Sequence, residues 1–307
     1  MTTESRLRAS VAWLSCVAAL LIVPVPAVRG QESERRIILV NVLDQDGNQV
    51  SGLNAMNFRG EYQGQPVAVV AAAPDSAPRR IVVAMDTSAS QMSRSDGEAG
   101  FTAAESLVKA LTPRHRVAVF SLGNGLRMHS NLTNDPTALQ KALGEARTRI
   151  GGPTALYDGV LLLSGGFSGR KPGDAICVFT DGEDTVDSRD RKAVVTAVAR
   201  TGVRVFVVRT PPERPSAREH PQFQIATDWT ESIAEATGGA ASWLGDSHGL
   251  RTSSSMMAEA YRLELAFPRR VDEAREWRLE VVGPDGKALP NVRLVYPHLV
   301  AADAVLD

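Results

Sequence analysis

The chain is poor in the side chains that disulfides and soft metals require. It has two cysteines, Cys16 and Cys177, in 307 residues. Cys16 falls in an apolar run near the N-terminus, so a processed chain keeps only Cys177 and closes no internal disulfide. Cys177 itself lies in "AICVFTD", where a thiol behaves as a small buried hydrophobe. The five histidines, at 115, 129, 220, 248 and 298, show no ligand spacing, which leaves them surface or structural roles. An excess of one charge is also missing. The net charge is −1, which argues against the basic footprint of a nucleic-acid or anionic-membrane binder. Beyond residue 23 no stretch is apolar enough to cross a bilayer. The chain has no G-x-S-x-G, no P-loop and no G-x-G-x-x-G after a strand, so the common nucleophile-elbow and phosphate-binding chemistries lack their motifs.

The first thirty residues read as a leader. Arg6 and Arg8 make a positive start, "VAWLSCVAALLIV" (11–23) an apolar centre too short for a usual membrane span, and "PVPAVRGQES" a small-residue tail. Cleavage after Gly30 or Ala27 is expected, giving a secreted or periplasmic protein with no transmembrane segment in the mature chain; the alternative is an uncleaved anchor. Cys16 lies inside the apolar run and Trp13 stands where a lipobox has leucine, which argues against lipidation. Removing residues 1–30 takes away three arginines and one glutamate and leaves a net charge of −3.

The remaining sequence divides by its periodicity. Residues 31–78 read as a β segment: an apolar strand, a turn at Asp46-Gly47, another short strand, and "PVAVVAAA" at 66–73. From 79 to 262 short apolar runs alternate with helical periodicity. Strands are expected at "RIVVAM", "RVAVFSL", "DAICVFT", "VRVFVV" and "GAASWL". Helices are expected at 97–111, 136–147, 155–164, 188–201, 228–237 and 252–262. Apolar strands alternating with helices predict a Rossmann-like, doubly wound, mostly parallel α/β sheet covered on both faces. Residues 263–307 return to β, with "YRLELAF", "EWRLEVV", a "PDGK" turn and "NVRLVYP" as the partner strand of that hairpin. The simplest packing joins the two flanks into one small β module that carries the α/β domain as an insertion.

In such a sheet, ligands bind beyond the carboxyl ends of the strands. "VVAMDTSAS" ends a strand with Asp86 and then offers Ser88 and Ser90 at i+2 and i+4. "GGPTALYDG" places Thr154 in a loop before a helix, and "FTDGED" places Asp181 at another strand end with Gly182 to turn sharply. Three loops therefore aim two carboxylates and three hydroxyls at one edge. All five are hard oxygen donors, which suit Mg²⁺, Mn²⁺ or Ca²⁺ and serve zinc, copper and iron poorly. Two carboxylates about 5 Å apart repel by roughly 3 kcal/mol at an effective dielectric near 20, and a divalent cation removes that repulsion. Taken singly, Asp86 and Asp181 read better as strand-end turn residues, and Ser88 or Ser90 as a helix cap.

D-x-S-x-S at 86–90, Thr154, and T-D-G-x-D at Thr180 to Asp184, in this order, resemble a von Willebrand factor type A (VWA) domain over about residues 79–262. The flanks, with "VLDQDGNQVSGLNAMNF" ahead of "VVAMDTSAS", resemble an exported VWFA-related group first noted in acidobacterial genomes. The resemblance implies a metal-ion-dependent adhesion site (MIDAS). Ser88 and Ser90 would touch the metal directly, Thr154 directly or through water, and Asp86 and Asp181 mostly through water. An acidic side chain of a protein partner would fill the open position. It also implies a switch in which the helix at 252–262 slides. The family's first loop usually reads "DTSGSM"; here Ala89 replaces the glycine and Gln91 precedes Met92, and no oxygen ligand is lost.

The expected function is thus a metal-dependent protein-binding or adhesion module and not an enzyme. The rival is a phosphatase-like hydrolase, which would need a second aspartate at i+2, where Ser88 stands. A third reading is a structural module with a vestigial metal site. Asp184 is expected only to cap or stabilise its loop. "DQDGN" at 44–48 lacks the glutamate of a calcium loop and reads as a turn, and "NLT" at 131–133 is a sequon that matters only in a glycosylating host. The long proline-rich loop 209–228 leaves the same sheet edge. With "QMSRSDGE" (91–98), it is expected to form a partner-selecting rim through Arg209, Glu213, Arg214 and Arg218; the alternative is a solvated loop.

Overall fold

The computed structural model describes residues 33–92, 95–123, 125–148, 151–186, 189–211 and 221–301. The leader, Glu213, Arg214, Arg218 and His220 lie outside them. Among the described residues, no helix is long and apolar enough to cross a membrane.

The central sheet is built from β4 (Arg80–Asp86), β5 (Arg116–Gly123), β6 (Gly125–Met128), β7 (Ala175–Thr180), β8 (Arg204–Arg209) and β9 (Ala241–Trp243). Their order is β6-β5-β4-β7-β8-β9, and every pairing is parallel except the β5–β6 hairpin. The inner strands are apolar on both faces because both are covered. Ile81, Val83 and Met85 of β4 point into one core, shared with Cys177 and Phe179. Phe101, Leu107 and Leu111 of α2 (Ser95–Leu111), Leu139 and Leu143 of α3 (Pro136–Arg147), and Met256 and Met257 of α7 (Ser247–Ala258) close that core. Val82 and Ala84 point into the opposite core. There Tyr157 and Val160 of α4 (Leu156–Gly165), Val194 and Val198 of α5 (Arg191–Ala199), and Trp229 and Ile233 of α6 (Pro221–Thr237) meet Ile176 and Val205. A one-turn helix, α1 (Ala89–Met92), follows β4.

The chain's two ends share a second six-stranded sheet. It contains β1 (Glu34–Leu43), β2 (Phe58–Tyr62), β3 (Gln65–Asp75), β10 (Ala260–Phe267), β12 (Arg278–Val281) and β13 (Arg293–Val295), in the order β12-β2-β3-β10-β1-β13. The short strands β11 (Arg275–Glu276) and β14 (Leu299–Val300) pair separately. A third core, with Val40, Phe58, Tyr62, Leu263, Leu265, Phe267, Trp277 and Leu279, backs this sheet. The chain enters the α/β unit from β3 and returns through α7 into β10, whose neighbours are β3 and β1.

Several boundaries differ from the sequence expectation. α6 begins at Pro221 and not near 228, since proline suits a first helical turn and Ala226, Trp229, Thr230 and Ile233 make one buried stripe. The final helix covers 247–258 and not 252–262: the Asp246 side chain accepts from Gly249 N at its start, and Glu259 is already extended. Residues 260–262 therefore belong to the β sheet. "NVRLVYP" does not pair with "EWRLEVV". β13 pairs with β1 and β12 with β2, at opposite edges of the sheet, and only the Val282–Ala288 bridge closes the turn between them. After Asp46-Gly47 there is no second strand but an isolated bridge at Gln49, with the Asp44 carboxylate accepting from the amides of Asp46 and Asn48.

Gly239 shows how tightly α6 hands the chain to β9. A Cβ there would lie 1.8 Å from the Val205 carbonyl oxygen, a backbone atom that cannot swing aside. Gly239→Ala should cost about 3 kcal/mol or more by forcing β8 and β9 apart; a urea midpoint equal to that of the unsubstituted protein would refute this.

Candidate metal site

Asp86 ends β4, where the strand meets its first loop, and is 1% exposed. Its Oδ1 accepts from Ser88 N at 2.9 Å, and its Oδ2 accepts from Thr180 Oγ1 at 2.7 Å. The first bond folds the loop back so that Ser88 and Ser90 come together, their Oγ atoms 3.2 Å apart. Asp181 follows β7, and its Oδ1 accepts from Glu183 N at 3.0 Å. Gly182, at φ +84, takes the turn that a side chain would resist, and its amide donates to Thr180 Oγ1.

The third loop is clamped to the other two. Thr154 N donates to Thr185 Oγ1 at 2.9 Å while Thr185 N donates to the Thr154 carbonyl at 3.0 Å. Gly151 N donates to the carbonyl of Thr87, and Thr87 Oγ1 donates to the Leu122 carbonyl. Asp184 Oδ2 accepts from Tyr157 N at 2.9 Å, giving α4 the N-terminal cap that Ala155 cannot supply. Asp86, Ser88, Ser90, Thr154 and Asp181 thus lie on three interlocked loops at one edge of the sheet.

The electrostatics of this edge favour a cation. Burial pushes the Asp86 carboxyl up to about 7, and the neighbouring Asp181 adds to the shift; the hydrogen bonds from Thr180 and Ser88 oppose it. The Thr154 hydroxyl is buried and its Oγ1 has no hydrogen-bond partner among the described residues. A buried hydroxyl without a partner among the described residues, on a loop clamped to those of two buried carboxylates, fits a hard cation better than a closed polar network. Among the described residues no three His, Cys, Asp or Glu side chains gather as a metal cluster. A site here is therefore made of two carboxylates helped by hydroxyls.

The expected rim is altered at Arg209. Its side chain is buried, its guanidinium lies 4.0 Å over the Trp243 ring, and it bonds Glu231 at 3.0 Å. Arg209 and Trp243 are register partners on adjacent strands, so the arginine is held against the sheet and not offered to a partner. Glu213, Arg214 and Arg218 lie outside the described residues, and residues 221–228 of the expected loop are helical. Sequence reasoning missed Thr180, Thr185, Gln91 and Thr210 as supports. Thr180 was visible within T-D-G; the others carry no signal until the loops are folded.

Residues 81–183 match the family model described as von Willebrand factor type A domain. No curated protein sequence matches the chain. Among solved structures, proximal thread matrix protein 1 from the mussel byssus, with a zinc-occupied MIDAS motif, is 11% identical with a TM-score of 0.51, covering 63% of this chain and 50% of its own. BatB from Bacteroides thetaiotaomicron is 19% identical with a TM-score of 0.46, covering 58% of this chain and 98% of its own. A von Willebrand factor type A protein from Catenulispora acidiphila is 13% identical with a TM-score of 0.47, covering 90% of this chain and 74% of its own.

Proposed function

We propose that the protein is an exported binding module that holds a divalent cation at Asp86, Ser88, Ser90, Thr154 and Asp181 and uses it to ligate an acidic side chain of a protein partner. VWA domains generally serve as adhesion or interaction modules and not as enzymes. The observation that carries the reading is the buried Thr154 hydroxyl, without a partner among the described residues, on a loop clamped to the one that carries Asp181. Ser88 and Ser90 would supply neutral oxygens, leaving the cation with enough positive charge to attract a carboxylate from outside. Asp86 and Asp181 would balance the rest of its charge. A hydrolase of the aspartyl-phosphate kind would want a carboxylate where Ser88 stands. The leader-like first thirty residues support export.

Mg²⁺ or Mn²⁺ is the first choice for this donor set, with Ca²⁺ next. Zn²⁺, which occupies the MIDAS of the mussel protein, belongs in the same test. At tenfold excess over Kd a cation should add about 1.4 kcal/mol to stability, a rise of a few degrees in Tm for a domain of this size. Ser88→Ala and Asp181→Ala should each abolish the rise over EDTA. The absence of a shift with all four ions in the unsubstituted protein would sink the metal reading.

A further inference from the structure

The loop that carries Ser88 and Ser90 is tied into a closed circuit of hydrogen bonds, three of whose members, Gln91, Thr210 and Thr180, lie outside the proposed ligand set. Gln91 follows Ser90 in α1 and is 3% exposed. Its Nε2 donates to Thr210 Oγ1 at 2.6 Å, in a bond buried from solvent. Thr210 is the first residue beyond β8, and its amide donates to the Thr180 carbonyl at 2.9 Å. Thr180 Oγ1 donates to Asp86 Oδ2, and Asp86 Oδ1 accepts from Ser88 N. Ser88 and Ser90 are in contact through their hydroxyls, and Ser90 is covalently joined to Gln91. The ends of β4, β7 and β8 and the serine-bearing turn are therefore fastened to one another in a ring.

Stability alone does not account for the Gln91 amide. Its Oε1 is buried without a hydrogen-bond partner among the described residues, so half of a strongly polar group is left unsatisfied. Exchanging the two amide atoms would only move the deficit to the nitrogen, because Thr210 offers a single oxygen. An apolar side chain of the same length would fill the space without that penalty. A residue that costs stability beside a site while holding one end of its ligand loop has the signature of a group kept for geometry.

We infer that Gln91 and Thr210 are positioning residues for the metal: their bond fixes the α1 turn against the β8 end so that Ser88 and Ser90 present both hydroxyls to the cation. This rests on the metal-binding reading above. It also means that displacing Thr210, at the head of the proline-rich stretch, would be felt at the two serines.

The test separates geometry from stability. In the full chain, Thr210→Val, Gln91→Met and the double variant are titrated with Mn²⁺ and Mg²⁺ by calorimetry and unfolded by heat in EDTA. Affinity should fall about tenfold or more in the double variant, as for other outer partners of metal ligands, while its Tm in EDTA stays equal to or above that of the unsubstituted protein. Thr210→Ser, which keeps the acceptor, should retain affinity. A double variant that binds within twofold of the parent would overturn the inference while leaving the metal site intact. A loss of affinity matched by a loss of Tm in EDTA, unrescued by Thr210→Ser, would also overturn it. A parent protein that binds neither ion removes the metal reading itself, and this inference with it.

Discussion

Arg204→Ala should lower the unfolding free energy by about 3–5 kcal/mol, the largest loss expected from a single side chain outside the proposed metal site. Arg204 begins β8, is buried, and has no carboxylate among its hydrogen-bond partners in the described residues. Its Nε donates to the Gly238 carbonyl at 2.8 Å, its Nη1 to the Met256 carbonyl at 3.0 Å, and its Nη2 to Asn41 Oδ1. Three elements meet on this one fork: the end of α6, the last turn of α7 and the strand β1. Burial, with a smaller contribution from Arg79, pulls the guanidinium down to about 9, which still leaves it charged at neutral pH. Truncation would strand three buried acceptors and empty the space beside Phe206, whose ring centroid lies 5.1 Å from the guanidinium carbon. Lysine would not rescue the loss, because one ammonium cannot reach three acceptors in different directions. Urea unfolding followed by circular dichroism measures this directly, and a loss below about 1 kcal/mol would contradict it.

The second large effect is a pH dependence of the opposite sign to that of a salt-bridged carboxylate. In EDTA, the Asp86 contribution to stability should fall as pH rises from about 4 to about 7. The native carboxyl keeps its proton up to about 7, while the unfolded chain releases it near 3.8. Across that window the folded state binds more protons, so the contribution is full below the unfolded value and is lost as pH passes through the folded one. The amplitude from this single group is on the order of 4 kcal/mol. Other carboxylates titrate in the same range, so the clean quantity is the difference between the parent and Asp86→Asn at each pH. That difference should change steadily through the window in EDTA. At pH 7.5 the asparagine variant should be the more stable protein without metal and should gain nothing from Mg²⁺. A difference profile that stays flat in EDTA would show that Asp86 is not the desolvated group described above.

The fold was legible wherever a pattern is local. The apolar runs "RIVVAM", "AICVF" and "VRVFVV" read as buried parallel strands because both of their faces are covered. The candidate ligands were legible because Asp86 and Asp181 sit where an apolar run stops and Thr154 just before one begins. What escaped was set by contacts between distant segments. α6 starts early because Ala226 extends its buried stripe, the half-buried Phe223 stacks on Trp243 and Pro221 tolerates the first turn, features that look like loop chemistry in one dimension. β13 appears to be the mate of β12 by proximity, yet it pairs with β1, more than 240 residues earlier. Arg209 looked available because arginine at a strand end usually is. Trp243 claims it, and that pairing exists only once β9 lies beside β8. Gln91 and Thr210 carry no motif at all, and their significance comes entirely from a 2.6 Å bond across the closed sheet edge.

The return of the chain from α7 straight into β10 has a mechanical consequence. β3 and β10 pair with each other, Asp75 opposite Ala260, at the end of the α/β unit away from the candidate metal site. A partner pulling on that edge would draw both strands in one direction, so they would not be unzipped from each other. They would instead have to slide past β2 on one side and past the seven paired residues of β1 on the other. Tension would therefore be met by sheared rows of backbone hydrogen bonds acting together, which would make the β module a grip for a load on the proposed binding face.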